Sequence, residues 1–301
     1  MDPHTITQPE FWANDESFLL ENGNSRTLEG IPIPSIAFAT SGSSGVPKRI
    51  VHAKKSLLLS ATAVNQHLGV TQKSIWGLAL PWWHVGGFAV PTRAYVAQCD
   101  FHQGPLRWDA EACHEWLMTK SISHLSVVPT QVYDLVQLGK PCPPPLQAMV
   151  VGGGRLESSL GQRARDLGWP VLASYGMTEA ASQIATQAMT ELAEPYTPDS
   201  LQILPIWQLA LNEEGIIQIS GNALFHGYLH AEGNKFRYEC RSDSSFTSND
   251  RGVIINGELR IECRADTIVK ILGELVNPLE IENKLSDAGL PQQHKIGRAH
   301  V

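Results

Sequence analysis

The sequence predicts an α/β fold, with a large domain built on a mostly parallel, helix-covered sheet and a small antiparallel β subdomain after it. Between residues 35 and 179, short apolar runs alternate with segments of helical periodicity, which is the order of βαβ units. After about residue 200, apolar and polar residues alternate over short stretches that end in turn residues, which favours antiparallel strands. With 301 residues, 43% of them apolar, the chain can bury a substantial core.

Each element of the first region follows from its local pattern. Strands are predicted where apolar runs end in turn residues, at 35–40, 74–81, 124–130, 147–154 and 169–179. Helices are predicted where apolar residues recur every three or four positions, at 55–70, 110–120, 130–139 and 156–168. Because such folds bind ligands at the carboxyl ends of the strands, the glycines and polar turns found there indicate a binding site.

The antiparallel region is expected at about 201–265. This region and the parallel-sheet part at about 1–200 are expected to form one large domain, 1–265, which binds ATP and the acid. The dipeptide Asn256-Gly257 separates two β-patterned runs there, and Asn-Gly is typical of a two-residue hairpin turn.

Composition excludes several classes of protein. The net charge of −7 argues against a general nucleic-acid binder, which would carry a basic excess. The five Cys form no CxxC pair, so reduced thiols and a cytoplasmic location are expected. No apolar window is long enough for a membrane span. We therefore expect small-molecule partners; the oligomeric state stays open.

The stretch FATSGSSGVPKR, residues 38–49, places glycines and hydroxyl residues directly after a predicted strand. Such a loop can wrap backbone N–H groups around phosphate oxygens, with Lys48 as a compact cation. It lacks the GxxxxGK[ST] pattern of P-loops. Pro47 disfavours helix at Val46, so the loop should not lead directly into a helix. A flexible surface turn is an equally open reading of the composition alone.

Five ordered segments resemble signatures of the adenylate-forming superfamily of acyl- and aryl-CoA ligases: TSGSSGVPK at 40–48, SYGMTEAAS at 174–182, EEGIIQISGNALFHGY at 213–228, FTSNDRG at 246–252 and RADTIVKILGELVNPLEIE at 264–282. The resemblance implies an acid–thiol ligase that uses ATP, Mg²⁺ and coenzyme A. In this family, a carboxylic acid is activated as an acyl-adenylate with release of pyrophosphate. The acyl group then passes to coenzyme A, and AMP is released.

The resemblance also implies roles for residues on the nucleotide side. The β- and γ-phosphates would be held by the loop residues Thr40, Ser41, Gly42, Ser43, Ser44, Gly45 and Lys48. Adenine would lie against Gly152, Gly153, Gly154 and Tyr175. Thr178 would contact the α-phosphate, and Glu179 would hold Mg²⁺. Asp250 would bind the ribose, and Arg264 would add a cation near the ribose and the phosphate.

Two departures bear on this assignment. Ser248 and Asn249 stand where the family usually has Thr-Gly, so Asn249 must adopt whatever φ the glycine served. Cys263 stands where Gly often precedes the Arg.

The segment 79–101 resembles most the 2-succinylbenzoate–CoA ligases of menaquinone biosynthesis, whose substrate carries two carboxylates, and so do the segments 126–131 and 175–186. The resemblance implies that the acid is bordered by His84, which is also a catalytic candidate, and by Gly86, Gly87, Arg93, Ser182, Gln183 and Thr186. Arg93 falls on a predicted helix that would line the pocket, and a buried Arg needs an anion.

Alternatives stay open on this side of the site. Arg93 could instead pair with a structural Asp or Glu, or reach solvent. The acid could be another aryl or fatty acid, or the chain could be a nucleotide-binding fragment without catalysis.

The resemblance finally implies a hinge at Asp266 and a small α+β C-terminal domain whose lysine completes adenylation. Because the chain ends at residue 301, we expect 266–301 to be the truncated start of that domain, with poor adenylation as a result. Lys295 lies too early to be the missing lysine. The ending IGRAHV, Ile296–Val301, matches one reading frame of a common sequencing adapter, so we expect a fused artefact there; the DNA around codons 295–301 would decide.

Overall fold

The computed structural model describes residues 1–40, 48–233 and 235–265, and the backbone alone of 269–271 and 274–276. Its α-helices are α1 Pro9–Ala13, α2 Lys54–His67, α3 Val85–Ala97, α4 Ala110–Thr119, α5 Pro129–Leu138 and α6 Ser158–Asp166. Short 3-10 helices cover Thr5–Thr7, Thr178–Ala180 and Met189–Ala193. None of the helices in these ranges is long and apolar enough to cross a membrane.

The strands divide between two large sheets and a short pair. The strands of the first half are β1 Ser17–Glu21, β2 Asn24–Leu28, β3 Ser35–Thr40, β4 Lys48–Ala53, β5 Ile75–Leu78, β6 Asp100–Gln103, β7 His124–Val127, β8 Ala148–Val151 and β9 Val171–Met177. Those of the second half are β10 Ser182–Thr186, β11 Leu201–Ile203, β12 Trp207–Leu211, β13 Ile216–Gly221, β14 Gly227–Glu232, β15 Lys235–Cys240, β16 Ser245–Ile255, β17 Glu258–Arg264, β18 Val269–Ile271 and β19 Glu274–Val276.

The predicted parallel, helix-covered sheet is confirmed. Strands β6, β5, β7, β8 and β9 pair in parallel in that order. All four residues of β7 and of β8 are buried, which is what a strand covered on both faces requires. Two features differ from the prediction: the strand expected at 35–40 is β3, which lies in the other large sheet, and the edge strand β6 was not predicted. Element boundaries shift as well. The strand expected at 124–130 ends at Val127, because Pro129 occupies the first turn of α5, where its missing N–H is harmless.

Antiparallel strands from β10 onward complete both large sheets. Beyond β9, the larger sheet continues through β10, β11, β17, β16, β13 and β12, and each of these pairs is antiparallel. The β14–β15 hairpin joins the other sheet instead, where β14 pairs with β4. Asn256 and Gly257 link β16 to β17 with φ values of 53° and 84°, as the hairpin prediction requires. The domain boundary at 265 stays a prediction.

The strand before the glycine loop and the strand after it form an antiparallel hairpin. Its last paired residues are Thr40 and Lys48. Since β4 begins at Lys48, the chain enters a strand after the loop and not a helix, as predicted. The hairpin therefore holds both ends of the loop at one place in the sheet.

Candidate functional site

The glycines at the carboxyl end of β8 begin with Gly152, which leaves free space beside the backbone. The Gly152 amide donates to Val127 O over 3.1 Å, which ties the loop to the end of β7. Gly153 has a φ of 74°, a conformation that glycine adopts without strain. A Cβ on Gly152 would meet no atom within 4 Å. A flat group can therefore approach this backbone closely.

The turn that carries Glu179 follows β9 and is fixed by two contacts to its backbone. The Nε2 atom of His52, on β4, lies 2.6 Å from Thr178 O. The Phe225 amide donates to Glu179 O over 2.9 Å. These contacts join the turn to the strand that begins at Lys48 and to the segment before β14.

Three charged groups from distant parts of the chain act on the Glu179 carboxyl. Burial raises its pKa, the positive charges of Lys48 and Arg264 oppose that rise, and the negative charge of Asp250 adds to it. Lys48 and Glu179, which the resemblance assigns to phosphate and to metal, are therefore electrostatic neighbours. The combination of two cations and two carboxylates suits a phosphate chain with its metal ion.

Tyr175 and Asp250 are joined directly. The Tyr175 hydroxyl donates to Asp250 Oδ2 over 2.8 Å, and burial together with the Asp250 charge raises the tyrosine pKa. Asp250 pairs in register with Arg264 across β16 and β17. Asn249, which replaces the family's glycine, lies within β16 and has no positive φ, so this departure introduces no backbone strain.

Arg93 is buried in α3, at 2% exposure, among neutral groups. Its Nη1 donates to Ser126 Oγ over 3.1 Å and its Nη2 to Ser182 Oγ over 3.3 Å. The guanidinium also lies 5.2 Å from the centre of the Trp76 ring. Hydroxyls and an aromatic face thus surround the cation.

No described carboxylate forms an ion pair with Arg93. Burial is the cause that lowers the pKa of the guanidinium to about 9, and its Nε has no hydrogen-bond partner among these residues. The alternative of a structural acid partner therefore finds no support there. A desolvated cation without an anionic partner in the protein favours the binding of an anionic ligand.

The segment before α3 presents His84 at the surface. His84 is exposed and flanks the first residue of α3, and partial burial lowers the pKa of its imidazole. A Cβ on Gly87 would lie 2.1 Å from Pro81 O, so the close approach that this glycine permits here is to the protein's own backbone. Gly86 is less crowded, with Leu80 Cδ1 at 3.7 Å from such a Cβ.

Of the remaining candidates on the acid side, which lie on β10 after the β9–β10 connection, one contacts Arg93 and two do not. Ser182 contacts Arg93 and has a φ of 105°, which is strained for a residue with a side chain. Gln183 instead donates from Nε2 to Thr186 Oγ1 over 2.6 Å, and Thr186 donates to Ser174 Oγ over 3.1 Å. Gln183 and Thr186 are both buried, so they brace the hairpin behind Ser182.

Several predicted positions lie outside the described residues. They are the loop residues Ser41, Gly42, Ser43, Ser44 and Gly45, the hinge Asp266, Lys295 and the segment 296–301.

Two contacting residues were missed by the sequence analysis. Ser126, at the carboxyl side of β7, accepts from Arg93, and His52 contacts the Thr178 carbonyl. A lone Ser or His within a buried strand carries no signal of its partner, so sequence spacing alone did not single them out.

Comparison with known proteins places the chain beside adenylate-forming enzymes. Residues 34–229 match the family described as AMP-binding enzyme. The 2-succinylbenzoate–CoA ligase of Listeria monocytogenes serotype 4b is 28% identical over 264 residues, which cover 86% of this chain and 55% of that protein. The ligase of the same name from Geobacillus kaustophilus is 29% identical over 257 residues, covering 81% and 51%. The chain spans about half the length of the curated relatives that it matches.

Solved structures share the fold. The o-succinylbenzoate CoA synthetase from Bacillus subtilis, in complex with ATP and magnesium ion, superposes with a TM-score of 0.73 at 23% identity, covering 84% of this chain and 55% of that one. ATP-bound MatB from Rhodopseudomonas palustris gives 0.71 at 22% identity, covering 86% and 54%.

Proposed function

This chain belongs to the AMP-binding enzyme family, and on that premise we propose that it is the ATP- and acid-binding part of an acid–CoA ligase for 2-succinylbenzoate. In the proposed reaction, a substrate carboxylate oxygen attacks the α-phosphorus of ATP. The bond to pyrophosphate breaks and an acyl-adenylate forms. The coenzyme A thiolate then attacks the acyl carbon, which yields the thioester and AMP. The named relatives support this substrate.

On the nucleotide side, the proposal assigns Lys48 and the 41–45 loop to the β- and γ-phosphates and Asp250 to the ribose. Thr178 lies beside Glu179 in the turn and would contact the α-phosphate. Gly152, with open space beside its backbone, suits the adenine ring. These groups act by positioning ATP and by balancing its charge, which is the main demand of such chemistry.

Glu179 is the residue that would hold Mg²⁺. Magnesium takes few protein carboxylates and completes its octahedron with phosphate oxygens and water. The Glu179 carboxyl is half-buried and lies in the field of Lys48 and Arg264, so a metal-bound phosphate chain fits there. When bound, Mg²⁺ neutralises charge on the phosphates. Glu179 would hold the ion in place, and the two basic side chains would add to the positive field.

The single observation that carries the substrate proposal is the buried Arg93 with neutral partners only among the described residues. 2-Succinylbenzoate has a second carboxylate that does not react, and a guanidinium can hold it with two parallel hydrogen bonds. Ser126 and Ser182 would then orient the guanidinium for that contact. A monocarboxylic acid would leave the cation buried and unpaired.

Arg93→Ala tests this assignment. With α,β-methylene-ATP and Mg²⁺ present, calorimetry on the 301-residue chain should show about a hundredfold weaker binding of 2-succinylbenzoate in the variant, because a buried charge partner is lost. Binding of benzoate should change little. Arg107→Ala, which alters an exposed arginine, serves as the control and should leave both affinities unchanged.

Two other results would redirect the proposal. An unchanged affinity for 2-succinylbenzoate in Arg93→Ala would favour a ligase for another aryl or fatty acid. Binding of the nucleotide without any acid would favour a nucleotide-binding fragment without catalysis.

A further inference from the structure

Three polar side chains of the β4–α2 unit are almost completely buried and each contacts a backbone carbonyl from another part of the chain. His52 is 0% exposed, Ser56 is 1% and Ser60 is 2%. His52 Nε2 lies 2.6 Å from Thr178 O. Ser56 Oγ donates to Asn222 O over 3.3 Å, and Ser60 Oγ donates to Ala181 O over 3.1 Å.

The spacing of these three residues explains why they act on neighbouring segments. Ser56 and Ser60 are four positions apart on α2, so they lie on the same face of that helix. His52 precedes the helix on β4, which ends at Ala53. Their acceptors lie in the Thr178–Ala181 turn, which contains Glu179, and in the segment after β13, whose Phe225 amide contacts Glu179 O.

Backbone hydrogen bonds link the same segments. The His226 amide donates to Val51 O over 2.7 Å, and the Phe225 amide donates to Glu179 O over 2.9 Å. The Glu179 turn is thus joined to β4 through His52, and both the turn and β4 are joined to residues 225–226. Among these contacts, the one made by the His52 side chain reaches Thr178, the residue directly before Glu179.

The chemistry of the contact assigns the state of the His52 ring. A carbonyl oxygen only accepts, so Nε2 must carry the proton and donate it to Thr178 O. The Nδ1 atom is buried and has no hydrogen-bond partner among the described residues. Burial lowers the pKa of His52 to about 4, in agreement with a neutral ring near pH 7.

We propose that His52 is a positioning residue for metal-bound ATP, because it fixes the Thr178–Glu179 turn against the strand that begins at Lys48. One side-chain hydrogen bond would then set the distance between the carboxylate offered to the metal and the cation offered to the phosphates. The inference deepens the proposed function and rests on it.

The test is calorimetric ATP binding to the 301-residue chain, with and without Mg²⁺. His52→Leu removes the N–H donor, leaves Thr178 O without it, and frees the turn. The variant should bind MgATP about tenfold more weakly and should bind ATP without Mg²⁺ within about threefold of the unaltered chain. His52→Gln places an amide N–H near the position of Nε2 and should restore MgATP binding to within about threefold.

His124→Leu is the matched control. His124 is also buried, at 1% exposure, and its pKa is likewise lowered to about 4, but it begins β7 at the end opposite to the site. This variant should lower the melting temperature without changing the affinity for MgATP. If His52→Leu does not fold, His52→Asn replaces it, since the shorter Asn amide cannot reach Thr178 O and should bind MgATP as weakly.

The outcomes separate the inference from the proposed function. Unchanged MgATP binding in His52→Leu, an equal loss with and without Mg²⁺, or no recovery in His52→Gln would each overturn the positioning role while leaving the ligase proposal in place. Failure of the unaltered chain to bind MgATP would overturn the proposed function, and this inference with it.

Discussion

The two sides of the candidate site treat charge in opposite ways. On the nucleotide side, the Glu179 carboxyl lies in the field of Lys48, Asp250 and Arg264, so charges of both signs balance one another. On the acid side, Arg93 is buried with two hydroxyls and a Trp ring, and burial alone depresses its pKa. The first arrangement is prepared for a polyanion with its metal, whereas the second lacks a partner until a ligand supplies one.

The difference indicates how each side gains specificity. Several weakly buried charges can bind any nucleoside triphosphate of the right shape, and they can adjust to its protonation and metal content. A single desolvated cation discriminates more sharply, because every acid without a second carboxylate leaves it unpaired. The three predictions below separate these modes, starting with the largest expected effect.

Glu179→Gln should have the largest effect. The amide keeps the shape of the side chain but cannot offer an anionic ligand, so MgATP should bind about thirtyfold more weakly. ATP without Mg²⁺ should bind equally well or better, because a negative charge beside the phosphates is removed. Calorimetry at fixed ionic strength, with Mg²⁺ or with EDTA, measures both affinities.

The change in affinity for metal-free ATP decides the role of Glu179. A comparable loss for metal-free ATP would mean that the carboxylate supports the turn and does not serve a metal. Glu258→Gln on β17 offers a control with the same chemistry, since that carboxylate bonds Ser200 and is not among the groups acting on Glu179.

Tyr175→Phe should have an intermediate effect on the same side. The variant removes the 2.8 Å hydrogen bond that orients the Asp250 carboxylate. ATP affinity should fall about fivefold, and the preference for ATP over 2′-deoxy-ATP should narrow, because Asp250 is the proposed ribose acceptor. Tyr133→Phe, at a residue 50% exposed on α5, is the control. If the preference for ATP over 2′-deoxy-ATP is unchanged, Asp250 does not bind the ribose.

Much of the fold could be predicted because strong apolar runs decide it. Strands β7 and β8 lie inside their predicted segments, and their side chains are buried throughout. By contrast, β2 was not predicted. Apart from the buried Leu28, its residues are polar and mostly exposed, so the strand exists through its pairing with β1 and not through its own pattern.

The site was less accessible to sequence reasoning. Lys48 and Glu179 were expected to act together only because of the resemblance, since their separation along the chain does not give their distance in space. The Arg93 partners show the limit most clearly. Both serines lie in segments that carry the resemblance, but only Ser182 was singled out, because a hydroxyl in a buried strand shows its partner only where α3 packs against it.

Arg93→Met should have the smallest effect, and it is measured on stability. Because the guanidinium is desolvated without a described anionic partner, an apolar side chain of similar length should leave the free energy of unfolding in urea within about 1 kcal/mol. Lys54→Met provides the contrast. Lys54 is also buried, at 3% exposure, but its Nζ donates to Phe11 O, Asn14 O and Asn14 Oδ1 over 2.6, 3.0 and 2.7 Å.

Removal of the Lys54 ammonium would leave those oxygens unsatisfied and should cost about 3 kcal/mol. One buried cation would then serve the fold and the other the ligand. A loss of similar size in Arg93→Met would mean that Arg93 is a structural residue, and the acid side of the site would need a different anchor. A neutral result, with 2-succinylbenzoate binding lost in the same variant, would instead mean that the chain keeps a cation in its core for a partner that it does not itself supply.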